Sequence, residues 1–114
     1  MSAFGKKIRE TRKRRLELND AYSVRKTAGR IGIEPSYLSK IERGEQPPPS
    51  ERTVALLAGE LELDPDKLLA LAGKIAGDVK SAVIRRPESM PAIVRKLAKK
   101  TKAELSVFLK INVI

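Results

Sequence analysis

The sequence predicts an all-α fold, and three observations carry that expectation. Apolar residues recur at spacings of three and four along most of the chain, the period of one face of a helix. Residues that start and stop helices punctuate this pattern at short intervals. No stretch alternates apolar and polar residues as a half-buried strand does. Aromatic residues make up only 4% of the chain, so the core falls to Leu, Ile, Val and Ala.

Phe4, Ile8 and Leu16 mark a first helix from about Ala3 to Leu18, with a stop at Asn19-Asp20-Ala21. Ser23 is a good N-cap for a second, short helix that reaches Ile31 and ends at Gly32. Pro35 suits the first position of a third helix, where its missing N–H costs nothing. That helix runs to about Glu42 and stops at Gly44. Gln46-Pro47-Pro48-Pro49-Ser50 is a stiff connector, because proline cannot continue a helix. Ser50 caps a fourth helix with Val54, Leu57, Ala58 and Leu61 on one face. Asp64 and Pro65 open a fifth, whose buried side is Leu68, Leu69 and Leu71-Ala72. Gly73 and Gly77 loosen the chain beyond it. Three short helical pieces are then expected: Asp78 to Arg85, Ser89 to about Lys100, and Lys102 to about Ile111.

Composition narrows the function. There is no Cys and no His. Disulfides, zinc fingers, thiol nucleophiles and His-based catalysis are therefore not expected, and neither is an enzyme, a metal or a cofactor. Asp/Glu catalysis has no support either, because the acids of residues 45–78 read as caps and helix-surface charges. The N-terminus turns basic with no apolar run behind it, so no signal peptide is read. Val54 to Ala58 is far too short to cross a bilayer, which predicts a cytoplasmic protein without a membrane partner.

The formal net charge is +10, and a basic chain of this size favours polyanions. Its distribution is uneven. Residues 1–44 carry 12 Lys/Arg against 5 Asp/Glu, residues 45–78 carry 3 against 7, and residues 79–114 carry 9 against 2. The cationic character thus sits at the two ends. Four scattered aromatics, Phe4, Tyr22, Tyr37 and Phe108, make a poor platform for stacking single-stranded bases.

One constellation is specific. Two short helices joined by a tight turn need a small residue where they cross, and Ala28 supplies it. They need a residue tolerant of positive φ at the turn, and Gly32 supplies that. Ile31, Ile33, Leu38 and Ile41 fall on the shared inner side. This pattern builds a fixed angle between two helices, the geometry that presents the second to a major groove. The run from Tyr22 to Gly44, with Pro35-Ser36-Tyr37-Leu38-Ser39-Lys40-Ile41-Glu42-Arg43-Gly44 at its end, resembles the Cro/repressor (XRE-type) helix-turn-helix family. The likeness covers about Phe4 to Gly73. It implies a five-helix, repressor-like domain over residues 1–73 that binds a double-stranded DNA operator, usually as a homodimer, and regulates transcription, here as a repressor. Three features depart from the family. Thr27 stands where Leu is preferred, Gly29 interrupts the second helix, and the stretch between Arg12 and Ser23 is several residues longer than usual.

The resemblance places Pro35, Ser36, Ser39 and Lys40 on the base-contacting side of the recognition helix. Lys40 can donate to a guanine edge or to a phosphate. Phosphate contacts are expected from Ser23 with the free N–H groups of its helix start, and from Arg25, Lys26, Tyr37 and Arg43. Tyr37 also reads as a core packer. Lys13, Arg14 and Arg15 are either a second grip or a solvated face. Arg12 and Glu42 are expected to pair with each other, as the corresponding residues do in the family. With Ala28, Gly32, Ile33, Leu38 and Ile41 they form the structural set.

Residues 74–114 lie beyond the likeness. Isolated short helices are marginal in water, so these must pack on the first domain or on a second copy. Dimerisation is the role expected of them. The basic run Arg95-Lys96, Lys99-Lys100 and Lys102 fits DNA or an acidic partner equally. The alternative function is an antitoxin-like protein that binds its own operator but whose main partner is another protein, a toxin. The chain also resembles regulators encoded beside metallopeptidases that cleave them, which implies a partner of that kind.

Overall fold

The computed structural model describes residues 2–112, and every described element is helical. In order these are α1 (Ala3–Leu16), a short 3-10 turn (Asp20–Tyr22), α2 (Val24–Ile31), α3 (Pro35–Arg43), α4 (Glu51–Leu61), α5 (Pro65–Leu71), α6 (Gly77–Arg85), α7 (Met90–Ala98) and α8 (Lys102–Asn112). They fall into two compact units that divide between Ala76 and Gly77.

Side-chain caps start most helices of the first unit. Ser2, Ser23 and Ser50 each accept the N–H three residues on, and Asp64 accepts those of Asp66 and Lys67. Each satisfies donors that the first helical turn leaves orphaned. At the other end, Gly32 closes α2 with φ 78° and Gly44 closes α3 with φ 75°. Both are left-handed conformations that glycine adopts without strain.

α1 stops at Leu16, two residues short of the expected end. Asn19 is extended there, and its side chain accepts the Ala21 N–H to start the 3-10 turn. Leu18 is consequently 92% exposed. The long stretch before Ser23 is nevertheless well fastened. Arg12 Nη1 donates to the Tyr22 carbonyl and Arg30 Nη1 to the Ala21 carbonyl, at 3.2 and 2.7 Å. The guanidinium groups of Arg15 and Arg30 each lie over the Tyr22 ring, 5.6 and 5.4 Å from its centre.

One core holds the unit together. It joins Phe4 and Ile8 of α1, Ala28 and Ile31 of α2, Leu38 and Ile41 of α3, Val54, Leu57, Ala58 and Leu61 of α4, and Leu68 and Leu69 of α5. Each buried Leu, Ile or Phe contributes about 1.5–3 kcal/mol of transfer free energy. Ile33 packs at its edge, only partly buried. Leu71, expected in the core, is 43% exposed instead. α5 buries Leu68 and Leu69 in the core and packs Ala72 against it, while Leu71 lines an open surface cleft with Lys7 of α1 and Leu63.

The second unit differs. α6 packs on α7. Gly77, expected to loosen the chain, is the first residue of α6. α7 ends at Ala98, two residues before the expected Lys100. No residue of α6 or α7 is buried. Among the described residues none of the helices is long and apolar enough to cross a membrane.

Candidate nucleic-acid interface

The angle between α2 and α3 follows from side chains of minimal bulk. Ala28 is fully buried, and beside it the Ile33 N–H reaches back to the Ala28 carbonyl at 3.0 Å. This bond closes the turn around Gly32. Pro35 then opens α3 with its φ already helical.

α3 is fixed from behind by α1, in two ways. Gly5 lies so close to the end of α3 that a Cβ there would stand 2.5 Å from the Ile41 carbonyl oxygen and 2.7 Å from that of Glu42. Any side chain would therefore force the helices apart. The second fastening is ionic. Arg12 Nε and Nη2 donate to the two carboxylate oxygens of Glu42 at 2.7 and 2.9 Å. Both side chains are about 95% buried. A bidentate pair of this kind satisfies both charges where water cannot.

With its inner side held, α3 turns the opposite side outward. Ser36, Lys40 and Arg43 are exposed, and at i, i+4 and i+7 they lie in one strip along the helix. Pro35, Tyr37 and Ser39 flank the strip and are half-buried. Tyr37 packs against the edge of the core, which occupies its ring. Lys40 is in no ion pair among the described residues.

A small cleft of about 160 Å³ opens beside this strip. Arg12 and Glu42 lie in it, with Arg9 and Lys13 of α1, Val24 at the start of α2, and Ser39 and Arg43 of α3. Ser23 caps α2 next to it, so the unpaired N–H groups of that helix start are close at hand. Besides Arg12, which Glu42 neutralises, the cations Arg9, Lys13 and Arg43 from two helices thus meet a helix N-terminus, which is the chemistry of a phosphate contact.

Two expected cations are paired in the free protein. Lys26 Nζ lies 3.3 Å from Asp20, and Arg43 Nη2 lies 2.9 Å from Glu45. The hydrogen bond from Arg43, opposed in part by desolvation, holds the Glu45 carboxyl below its ordinary value. The nearby charges of Arg43 and Lys40 act in the same direction. Exposed pairs of this kind contribute about 0–1 kcal/mol, so a phosphate can displace them. Arg25 is exposed and outside these pairs.

The basic run at 13–15 does not act as one group. Lys13 faces the cleft beside α3, whereas Arg14 and Arg15 line a different surface with Leu61, Glu62 and Leu63. Arg15 donates to Glu62 at 2.9 Å and stacks on Tyr22. Each residue of a helix is turned 100° from the last, which sends three neighbours in three directions. Arg9, which lines the cleft, was missed by sequence reasoning; its signal is that it lies one turn before Lys13.

The comparisons with known proteins agree with this geometry. The family described as helix-turn-helix domain matches residues 3–71, covering all five helices of the first unit. No curated protein matches the chain, and neither does any solved structure. The chain therefore belongs to the helix-turn-helix domain family, which is typical of XRE-like DNA-binding regulators.

Proposed function

We propose that this protein is a sequence-specific transcriptional regulator that reads the major groove with α3. Ser36 and Lys40, with Pro35 and Ser39 at their side, contact base edges. Ser23, Arg25, Lys26 and Arg43, joined by Arg9 and Lys13, hold the phosphates. The observation that carries this reading is the outward strip of α3 beside the basic cleft, on a helix locked from behind by Gly5 and by the Arg12–Glu42 pair. Occupying the groove excludes other proteins from the same face, which favours repression as the mode of regulation. One recognition helix reads few bases, and two copies on a two-fold operator double the site.

Selection from a random DNA pool tests this. A two-fold symmetric motif is the expected result, and recovery without any shared motif would refute sequence-specific reading. A salt titration separates the phosphate contacts. The slope of log K against log salt falls by about 0.9 for each phosphate no longer neutralised. Lys13→Ala should lower it by that amount, while Arg14→Ala leaves it unchanged.

One observation favours a second reading, in which a toxin or a metallopeptidase is the main partner. In the segment from Gly77, Ile84, Ile93, Val107 and Leu109 are all 46% or more exposed. That segment also carries most of the C-terminal positive charge. Stoichiometric co-purification of one defined acidic partner, lost in Ile93→Asp, would support it.

A further inference from the structure

Glu34 is the N-cap of α3, yet its side chain makes no capping bond. Ser2, Ser23, Ser50 and Asp64 all cap the helices they precede. A carboxylate is favourable near the positive end of a helix, but an aspartate would supply that charge together with the capping bond, so folding does not account for a glutamate in particular. Nor does pairing. Glu34 is exposed and belongs to none of the ion pairs among the described residues. Its backbone, however, is firmly placed. The Glu34 carbonyl accepts the N–H groups of Tyr37 and Leu38, at 3.0 and 3.1 Å, and Pro35 comes next in the chain.

A carboxylate in this place is chemically unusual for a surface that meets DNA. Lys40 and Arg43 donate hydrogen bonds and attract phosphate, whereas an ionised carboxylate only accepts and is repelled by phosphate. In the major groove only the amino groups of cytosine and adenine can donate to it. Adenine presents the N7 acceptor beside its amino group, which opposes a carboxylate. Cytosine presents no such acceptor. The N-terminal residues of a recognition helix are also the ones closest to base edges.

We infer that Glu34 is a specificity-determining residue of the DNA-reading surface, whose carboxylate accepts a hydrogen bond from the N4 amino group of a cytosine. This rests on the proposed reading of DNA by α3. It adds a group that only accepts to readers whose polar members, two hydroxyls and an ammonium, can all donate.

The test repeats the random-pool selection with the full chain and with Glu34→Gln and Glu34→Ser. The wild type should favour cytosine at one position of each half-site, by about tenfold. Glu34→Gln should move that preference to adenine, because an amide pairs with both N6 and N7. Glu34→Ser restores a capping residue, so it should melt no lower than the parent while losing preference at that position alone. A motif identical in all three proteins overturns the assignment and leaves the DNA reading intact. So does an equal rise in affinity for every sequence, which would mean that Glu34 only repels phosphate. Absence of any motif for the wild type overturns the DNA reading and this assignment with it.

Discussion

The helices before Ala76 and α8 after it begin with the same kind of local signal, but they differ in what they bury. In the first unit, caps at Ser2, Ser23, Ser50 and Asp64 start helices that meet over a shared core. In the second, α8 begins with an equally good device. Thr101 accepts the Glu104 N–H while Glu104 accepts that of Thr101, at 3.2 and 3.1 Å. This is a reciprocal capping box. Yet among the described residues nothing in α6, α7 or α8 is buried. Capping contributes about 1 kcal/mol per helix, which does not stabilise a helix of nine to eleven residues by itself. Helix starts are therefore a local property of this chain, and stability is a property of the first unit's packing.

The largest expected effect lies at the buried ion pair. Arg12→Ala leaves Glu42 charged and unpaired in the core, and should cost about 3–5 kcal/mol in urea denaturation followed by circular dichroism. The matching change in the second unit, Ile93→Asn on the exposed side of α7, should stay within about 0.5 kcal/mol. A loss of more than about 1 kcal/mol there would break the contrast, since it would mean that something covers α7.

Two glycines sharpen the comparison within the first unit. Gly5→Ala forces a methyl group against the carbonyls of Ile41 and Glu42. It should destabilise by about 1–3 kcal/mol and weaken DNA binding as α3 shifts. Gly29 lies in the middle of α2 with nothing within 4 Å of its would-be Cβ. Gly29→Ala should raise stability by about 0.8–1 kcal/mol through helix propensity alone. Thermal melts of the two variants should therefore move in opposite directions.

A gain of similar size is expected at Thr27. Its side chain is fully buried, and its hydroxyl has no hydrogen-bond partner among the described residues. Thr27→Val keeps the shape and removes the stranded hydroxyl, which should stabilise by about 1 kcal/mol. An unchanged melting temperature would mean that the hydroxyl is satisfied in solution.

The smallest effect is one of pH, and each unit supplies a case. Arg43 holds the Glu45 carboxyl below its ordinary value, and the Thr101 backbone N–H does the same for Glu104. A depressed carboxyl contributes stability above its unfolded value and loses it as pH falls through the folded one. Both groups are fully exposed, so the contributions are slight. Carboxyl carbon shifts in an NMR titration should show both midpoints below that of an ordinary glutamate. In Arg43→Ala the Glu45 midpoint should return towards it, and that of Glu104 should stay in place.

Much of the first unit was legible in the sequence because its signals are local. Ser23, Gly32, Pro35, Gly44, Ser50 and Asp64-Pro65 each name a helix end by their own chemistry. The errors arose where an outcome depends on distant residues. The apolar pattern of α1 runs on through Leu18, but Asn19 ends it by capping a turn that Arg12 and Arg30 then fasten. Arg15 reads as part of a basic run, and its partner, Glu62, is 47 residues away. Leu71 fits the helical period of α5 but lines an open cleft beside Lys7 instead of entering the core. Of the candidate site, the inner positions followed from periodicity and the outer strip from the family likeness. The cleft with Arg9 and Lys13 needed the crossing of α1 over α3, which no spacing encodes.

The closeness of Gly5 to the carbonyls of Ile41 and Glu42 has a consequence for how such a protein could change its target. The position of α3 is set by main chain against main chain and by one ion pair at its back, none of which belongs to its outward face. Ser36, Lys40 and Glu34 are therefore open to replacement with little effect on the scaffold that presents them. On the proposed reading of DNA by α3, a lineage or a designer could retarget the protein by exchanging those few residues, whereas a change at Gly5 would alter the presentation for every sequence at once.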